Sequence, residues 1–135
     1  AAPHKFTLTK GALGMVVKGK VISKYGERKI DGFKDYVLSK GFSYDVKNPL
    51  KVNAAAAGTV MFAGSMPGYD KVIIVNHGSR VYTLYGNLAQ TNVAKGEEVK
   101  KGQRIAVLKE AVSSEGNFYF ELRKKGKAIN PSPYF

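Results

Sequence analysis

The chain of 135 residues contains no cysteine. That excludes disulfide bridges, thiolate metal sites and cysteine nucleophiles together, and leaves the redox compartment open. Histidine is nearly as scarce, with only His4 and His77, so chemistry that needs several imidazoles has little to draw on. No apolar run approaches the roughly 20 residues of a membrane-spanning helix. Acidic residues number 10 against 22 lysines and arginines, a net charge of +12. Such a balance favours anionic partners or surfaces. The cations are scattered and accompany no nucleic-acid motif, so nucleic acid is not expected as a partner. The opening Ala1-Ala2-Pro3-His4 shows no signal peptide and reads as the start of a segment cut from something longer.

What is present points to strands. Hydrophobic residues make up 44% of the chain, with 15 glycines, 8 tyrosines and many short Val/Ile runs, the composition of one β-rich domain. Residues 1–14 read as a lead-in and 15–135 as the domain. Residues 16–26 predict two short strands around a glycine turn. Residues 27–40 are polar, and the spacing of Phe33, Tyr36, Val37 and Leu38 suits one helical turn or a loop flap. Strands are expected over 58–63, 71–75 and 80–85. The last two are joined by an Asn76-His77-Gly78-Ser79 turn, which makes His77 a turn residue and not a catalyst. Residues 94–108 predict a turn-strand-turn-strand unit.

Residues 117–123 organise the rest. Strand side chains alternate, so Phe118, Phe120 and Leu122 face one way and Asn117, Tyr119, Glu121 and Arg123 the other. Two readings fit: a half-solvated sheet strand, or a strand whose odd positions line a groove.

Three stretches carry a resemblance. They are Ser39-Lys40-Gly41-Phe42-Ser43, Tyr85-Gly86-Asn87-Leu88 and Asn117-Phe118-Tyr119-Phe120-Glu121, followed by the ending Arg123…Gly126…Asn130-Pro131-Ser132-Pro133-Tyr134. The chain thereby resembles the lysostaphin/LytM-type zinc endopeptidase domain, which has His-x-Gly-x-Asp, Tyr-x-His-x and His-x-His-aromatic-Glu at the three places. The resemblance implies an all-β fold of LytM type, with barrel-sandwich-like antiparallel sheets, a central groove and little helix. It places the zinc ligands on Ser39, Ser43 and Tyr119 and the assisting histidines on Asn87 and Asn117. With all five replaced, no catalytic residue, no zinc and no enzyme activity are expected. Asp45 is assigned to the opposite strand face from Ser43 and set aside as a shifted ligand.

Loss of the whole catalytic set makes the chain most similar to the degenerate LytM-type domains of EnvC/NlpD type. These imply a non-enzymatic cell-division and cell-wall factor in the periplasm or envelope of a bacterium, one that binds and activates an N-acetylmuramoyl-L-alanine amidase. The expected partner groove comprises Lys40, Ser43, Tyr69, Tyr85, Asn87, Asn117, Tyr119 and Arg123, with Tyr119 at the floor and Tyr69 and Tyr85 on the walls. Tyr119→Ala is expected to leave the fold nearly intact. The alternative is a peptidoglycan-binding module without an amidase partner. Lipoyl and biotinyl carriers share the 94–108 pattern, but Lys71 opens a buried-looking strand and does not occupy a hairpin tip.

Overall fold

The computed structural model describes residues 5–26, 28–31 and 35–135, so His4, Glu27 and Phe33 lie outside the described residues. Among the described residues thirteen strands run in chain order: β1 (Lys20–Ser23), β2 (Arg28–Asp31), β3 (Asp35–Leu38), β4 (Phe42–Asp45), β5 (Lys51–Asn53), β6 (Gly58–Met66) and β7 (Asp70–Gly78). Then follow β8 (Val81–Leu88), β9 (Gln90–Thr91), β10 (Glu98–Val99), β11 (Arg104–Val107), β12 (Phe118–Lys124) and β13 (Lys127–Ile129). One 3-10 turn, Ser132–Tyr134, is the only helical element among the described residues. The all-β expectation holds.

The main sheet has eight strands in the order β1-β4-β12-β8-β7-β6-β10, with β13 also paired to β12. A three-stranded sheet, β5-β11-β9, and the β2-β3 hairpin complete the fold, and every pairing is antiparallel. The organising strand is therefore interior, between β4 and β8 along its first half. Its register sets Tyr119 opposite Ser43 on one side and Gly86 on the other, and sets Phe120 opposite Phe42 and Tyr85. Phe118, Phe120 and Leu122 are buried with Phe42, Tyr44, Ile73, Val75, Val60, Ile105 and Leu108 in one core. The alternation read from sequence is what the fold uses.

Several boundaries differ from expectation. Residues 16–26 hold one strand, β1, because 16–19 run as irregular chain packed onto the core through Val16 and Val17. Within residues 27–40, Arg28–Asp31 and Asp35–Leu38 pair as antiparallel strands, so Tyr36, Val37 and Leu38 are in β3 and not in a helical turn. Strands β6 and β7 extend to nine residues each, since Met66 and Asp70 still pair across a three-residue turn. Lys71 is exposed at the second position of β7, just past that turn. Residues 5–14 lie against the domain: Leu13 is buried, Phe6 and Leu8 pack on the core, and the Leu13 amide donates to the Tyr134 carbonyl at 2.9 Å.

His77 is not in a turn. It is a buried residue of β7, and the β7-β8 turn is made by Ser79 (φ 53) and Arg80 (φ 62), whose paired positive φ angles match a two-residue hairpin turn. His77 Nδ1 lies 2.8 Å from the Ala57 carbonyl, an acceptor only, so this nitrogen carries the proton. Nε2 meets the Thr83 hydroxyl at 2.7 Å, and Thr83 leads on to the Tyr85 hydroxyl and the Ala55 amide. Burial lowers the His77 pKa, the Ala57 bond opposing it. The ring is a neutral structural pin between β7, β8 and the chain after β5.

Phe120 is fully buried at the crossing of β4, β8 and β12 and contacts the rings of Tyr85 and Phe135. Phe120→Ala is expected to cost about 3–5 kcal/mol, read as a lowered unfolding free energy in urea titration.

Candidate functional site

On the opposite face of β12 from the core, three side chains form one unit. Glu121 is wholly buried, yet it is a carboxylate, and a buried carboxylate needs partners for its oxygens. Tyr119 donates its hydroxyl to Oε2 at 2.6 Å, and Arg123 donates Nε–H to Oε1 at 2.8 Å. Strand periodicity explains the set, because residues two apart share a face and the outer two close over the middle one. Burial pushes the Tyr119 phenol well above its ordinary value, with the bond to Glu121 and its charge adding to the shift.

The wall is built on this floor. The ring of Tyr69, from the β6-β7 turn, stacks on Tyr119 with centroids 5.6 Å apart and planes 28° from parallel. The Tyr69 ring also lies over Gly86, where a Cβ would meet it at an ordinary contact distance of 3.4 Å. The Tyr69 carbonyl accepts the Asn87 amide at 2.6 Å, with Asn87 at φ 63. On the β4 side the chain passes close at Gly41, where a Cβ would run into the Phe120 carbonyl and approach Tyr119 Oη and Glu121 Cγ to 3.0 Å. Only glycine fits there.

The structure sorts the expected residues. Tyr119, Tyr69 and Asn87 come together, with Ser43 opposite Tyr119 but almost wholly buried. Ser39 turns its hydroxyl onto the Gly41 carbonyl at 2.7 Å. Lys40 is exposed, and with Ser39, Tyr25, Arg123 and Lys127 it lines a cavity of about 430 Å³ at the Arg123 end of the floor.

Two expected groove residues are elsewhere. Tyr85 is fully buried, opposite Phe120 and on the core face, with its hydroxyl accepting the Ala55 amide at 2.9 Å. Asn117 is buried just before β12 and bonds the Val46 amide, the Val46 carbonyl and the Lys109 carbonyl at 2.8, 2.8 and 2.7 Å. It clamps the end of β4 to the loop ahead of β12. Glu121, in contrast, was placed on the right face from sequence but given no role. Its signal was available: a lone carboxylate between Tyr and Arg at i ± 2.

Asp45, assigned to the other face, lies two residues beyond Ser43 in β4 and therefore shares its face. It makes no metal site with the rest: among the described residues no three His, Cys, Asp or Glu side chains cluster as a metal site would require. The donor chemistry also disagrees with zinc. Ser39 and Ser43 are not zinc ligands of ordinary sites, the Tyr119 phenol is held protonated, and both oxygens of Glu121 are occupied. The residues present do not fit the metal that this architecture carries elsewhere.

An antiparallel sheet with a groove floored by one central strand and walled by a hairpin turn defines a LytM-type peptidase fold. The sequence pattern described as Peptidase family M23 matches residues 37–131, and the chain belongs to that family. It is 33% identical over 123 residues to the murein hydrolase activator EnvC of Escherichia coli, covering 87% of this chain and 27% of that protein. It is 34% identical over 98 residues to the lipoprotein NlpD/LppB homolog of Pseudomonas aeruginosa, covering 72% of this chain and 33% of that protein. The chain thus spans about a third or less of the relatives it matches. Among solved structures, a chain of the SpoIIQ–SpoIIIAH pore-forming complex matches at 26% identity and TM-score 0.76, covering 96% of this chain and 92% of that one. The lysostaphin catalytic domain of Staphylococcus simulans shares the fold at 22% identity and TM-score 0.71, with 86% and 91% covered.

Two outcomes test this site. Tyr119→Phe keeps the ring but leaves a buried Glu121 oxygen without its donor, so it is expected to cost about 1–3 kcal/mol, while Tyr69→Phe stays within about 0.5 kcal/mol; urea titration reads both. In alkaline titration followed by tyrosinate absorbance, Tyr44 and Tyr85, pushed up to about 12 by burial, and Tyr119, pushed up further, are expected to stay protonated at a pH where a free phenol ionises. A raised folded pKa means the native state holds protons that the unfolded state releases. Stability is therefore unaffected below about pH 10 and falls as pH rises above it.

Proposed function

We propose that this domain is a non-catalytic member of its family that binds and activates an N-acetylmuramoyl-L-alanine amidase in the bacterial cell envelope. The observation that carries the reading is the Tyr119–Glu121–Arg123 unit, which occupies the groove floor with hydrogen-bonded side chains in place of metal donors. A stacked tyrosine pair beside a part-exposed arginine is the chemistry of protein recognition, where aromatic and arginine side chains dominate binding energy. The similarity to EnvC and NlpD, both named as murein hydrolase activators, supports the same direction. In this reading Tyr119, Tyr69, Asn87, Lys40 and Arg123 meet the partner, and Ser43 supports the floor.

The expectation that Tyr119→Ala is silent for the fold is revised, because the phenol also holds Glu121. Tyr69→Ala and Lys40→Ala separate binding from folding better. Tyr69→Ala is expected to weaken amidase binding by about 2 kcal/mol, the range of an aromatic hot spot, with little change in melting temperature. Unchanged activation by Tyr69→Ala and Lys40→Ala together would remove the groove from the partner interface. Elemental analysis after dialysis is expected to find no stoichiometric zinc, and peptidoglycan cross-bridges are expected to stay intact; one bound equivalent of zinc with cleavage would overturn the non-catalytic reading.

A second reading, a peptidoglycan-binding module, is favoured by the cavity that Lys40, Arg123 and Lys127 line, which suits carboxylates of stem peptides. Co-sedimentation with purified sacculi in the absence of any amidase, lost on Lys40→Ala, would select it.

A further inference from the structure

The positive charge is unevenly placed, and the registers show where it concentrates. The β7-β8 turn and the β12-β13 turn lie side by side at one end of the main sheet, since Lys124 pairs with Val81 and the Lys125 amide donates to the Arg80 carbonyl at 2.9 Å. The N-terminal segment joins them through the Phe6 amide, which donates to Ser79 Oγ at 2.9 Å. Lys5, Arg80, Lys124, Lys125 and Lys127 are thereby gathered at this end, and all five are exposed. No acidic residue lies in either turn, and none of the five takes part in an ion pair among the described residues.

Most of the described acids lie elsewhere, Glu121 being buried and bonded to Arg123 and Asp31 and Asp35 belonging to β2 and β3. Asp45, Asp70, Glu110 and Glu115 belong to the opposite ends of the same strands or to the loop leading into β12. Glu97 and Glu98 are at β10, four strands from β12, roughly 19 Å at ordinary strand spacing, and two strands from β7, roughly 10 Å, both more than the screening length of physiological salt. Lys124 even pairs directly with Lys127, a like-charge cross-strand pair that disfavours the fold. Nothing in folding calls for that pair.

We propose that this end of the sheet is a docking surface for an anionic phospholipid bilayer. Its form selects that partner among polyanions. Lys5, Arg80, Lys124 and Lys125 lie outside the cavity that Lys127 helps line, four of the five cations are lysines acting as point charges, and among the described residues of the two turns no exposed aromatic ring offers a stacking platform for single-stranded nucleic acid. An extended anionic sheet read by charge alone meets all three conditions. The surface adjoins the basic end of the Tyr119 floor, where Lys127 also lines the cavity, while Lys5, Arg80, Lys124 and Lys125 lie outside that cavity, and the proposal holds whether or not the amidase reading does.

The test is co-sedimentation with phosphatidylcholine vesicles, with and without phosphatidylglycerol. Binding is expected only with phosphatidylglycerol, and it is expected to vanish at high salt. Lys124→Gln with Lys125→Gln is expected to weaken it about 25-fold, about fivefold for each lysine. Lys95→Gln with Lys100→Gln removes the same charge beside β10 and is expected to change binding far less. Absence of binding to anionic vesicles, binding that survives high salt, equal losses in the two double variants, or tighter binding to single-stranded DNA than to the vesicles would each overturn the proposal.

Discussion

The groove depends on one buried carboxylate. Glu121 sits inside the sheet without solvent contact, and a charge there is tolerated only while both oxygens are bonded. Meeting that demand fixes its neighbours: the Tyr119 ring is turned so that its hydroxyl reaches Oε2, and the Arg123 side chain is turned so that Nε reaches Oε1. Once Tyr119 is set, Tyr69 has a face to stack on. The floor, one wall and the basic end of the groove thus follow from a single electrostatic constraint on the central strand.

The same constraint explains how far the sequence could be read. Alternation along 118–123 separates the core face from the opposite face because β12 is regular and one of its faces is the core. Tyr85 was misplaced because it was assigned by its motif neighbours and not by pairing. The β7-β8 ladder shifts between Lys71 and Ile73, and once β8 is paired with β12, Tyr85 falls opposite Phe120 on the core side and Gly86 takes the groove position. Asn117 failed for a related reason. It lies one residue before the strand, where alternation no longer governs, and its amide serves the backbone of Val46 and Lys109. His77 was read as part of a turn from Asn-His-Gly, whereas the positive φ angles were taken by Ser79 and Arg80. Local signals place strands well but count turns poorly by one or two residues, and in a strand that changes the face of every side chain.

A metal site and a hydrogen-bonded floor place different demands on the same backbone. A metal draws its ligands from several strands toward one point, so each strand must offer a donor at the right height. Here the close pass of Gly41 against Phe120, Tyr119 and Glu121 leaves no space between β4 and β12. The two strands are held by packing and by the Tyr119–Ser43 register. Placing metal ligands on β4 and β12 would therefore also have to relieve Glu121, whose carboxylate would lose the Tyr119 hydroxyl if that residue were histidine.

Rigidity of the floor matters for what it can recognise. A ring fixed by a short hydrogen bond below and a stacked partner beside it loses little freedom when a partner covers it, which lowers the entropic cost of association. The wall is fixed with similar economy. The Tyr69 ring lies over Gly86, and Asn87, held at positive φ, donates its amide to the Tyr69 carbonyl. A methyl group at position 86 would touch the Tyr69 ring at an ordinary contact distance, so the position of the wall rests on the stack with Tyr119 and on the Asn87 amide.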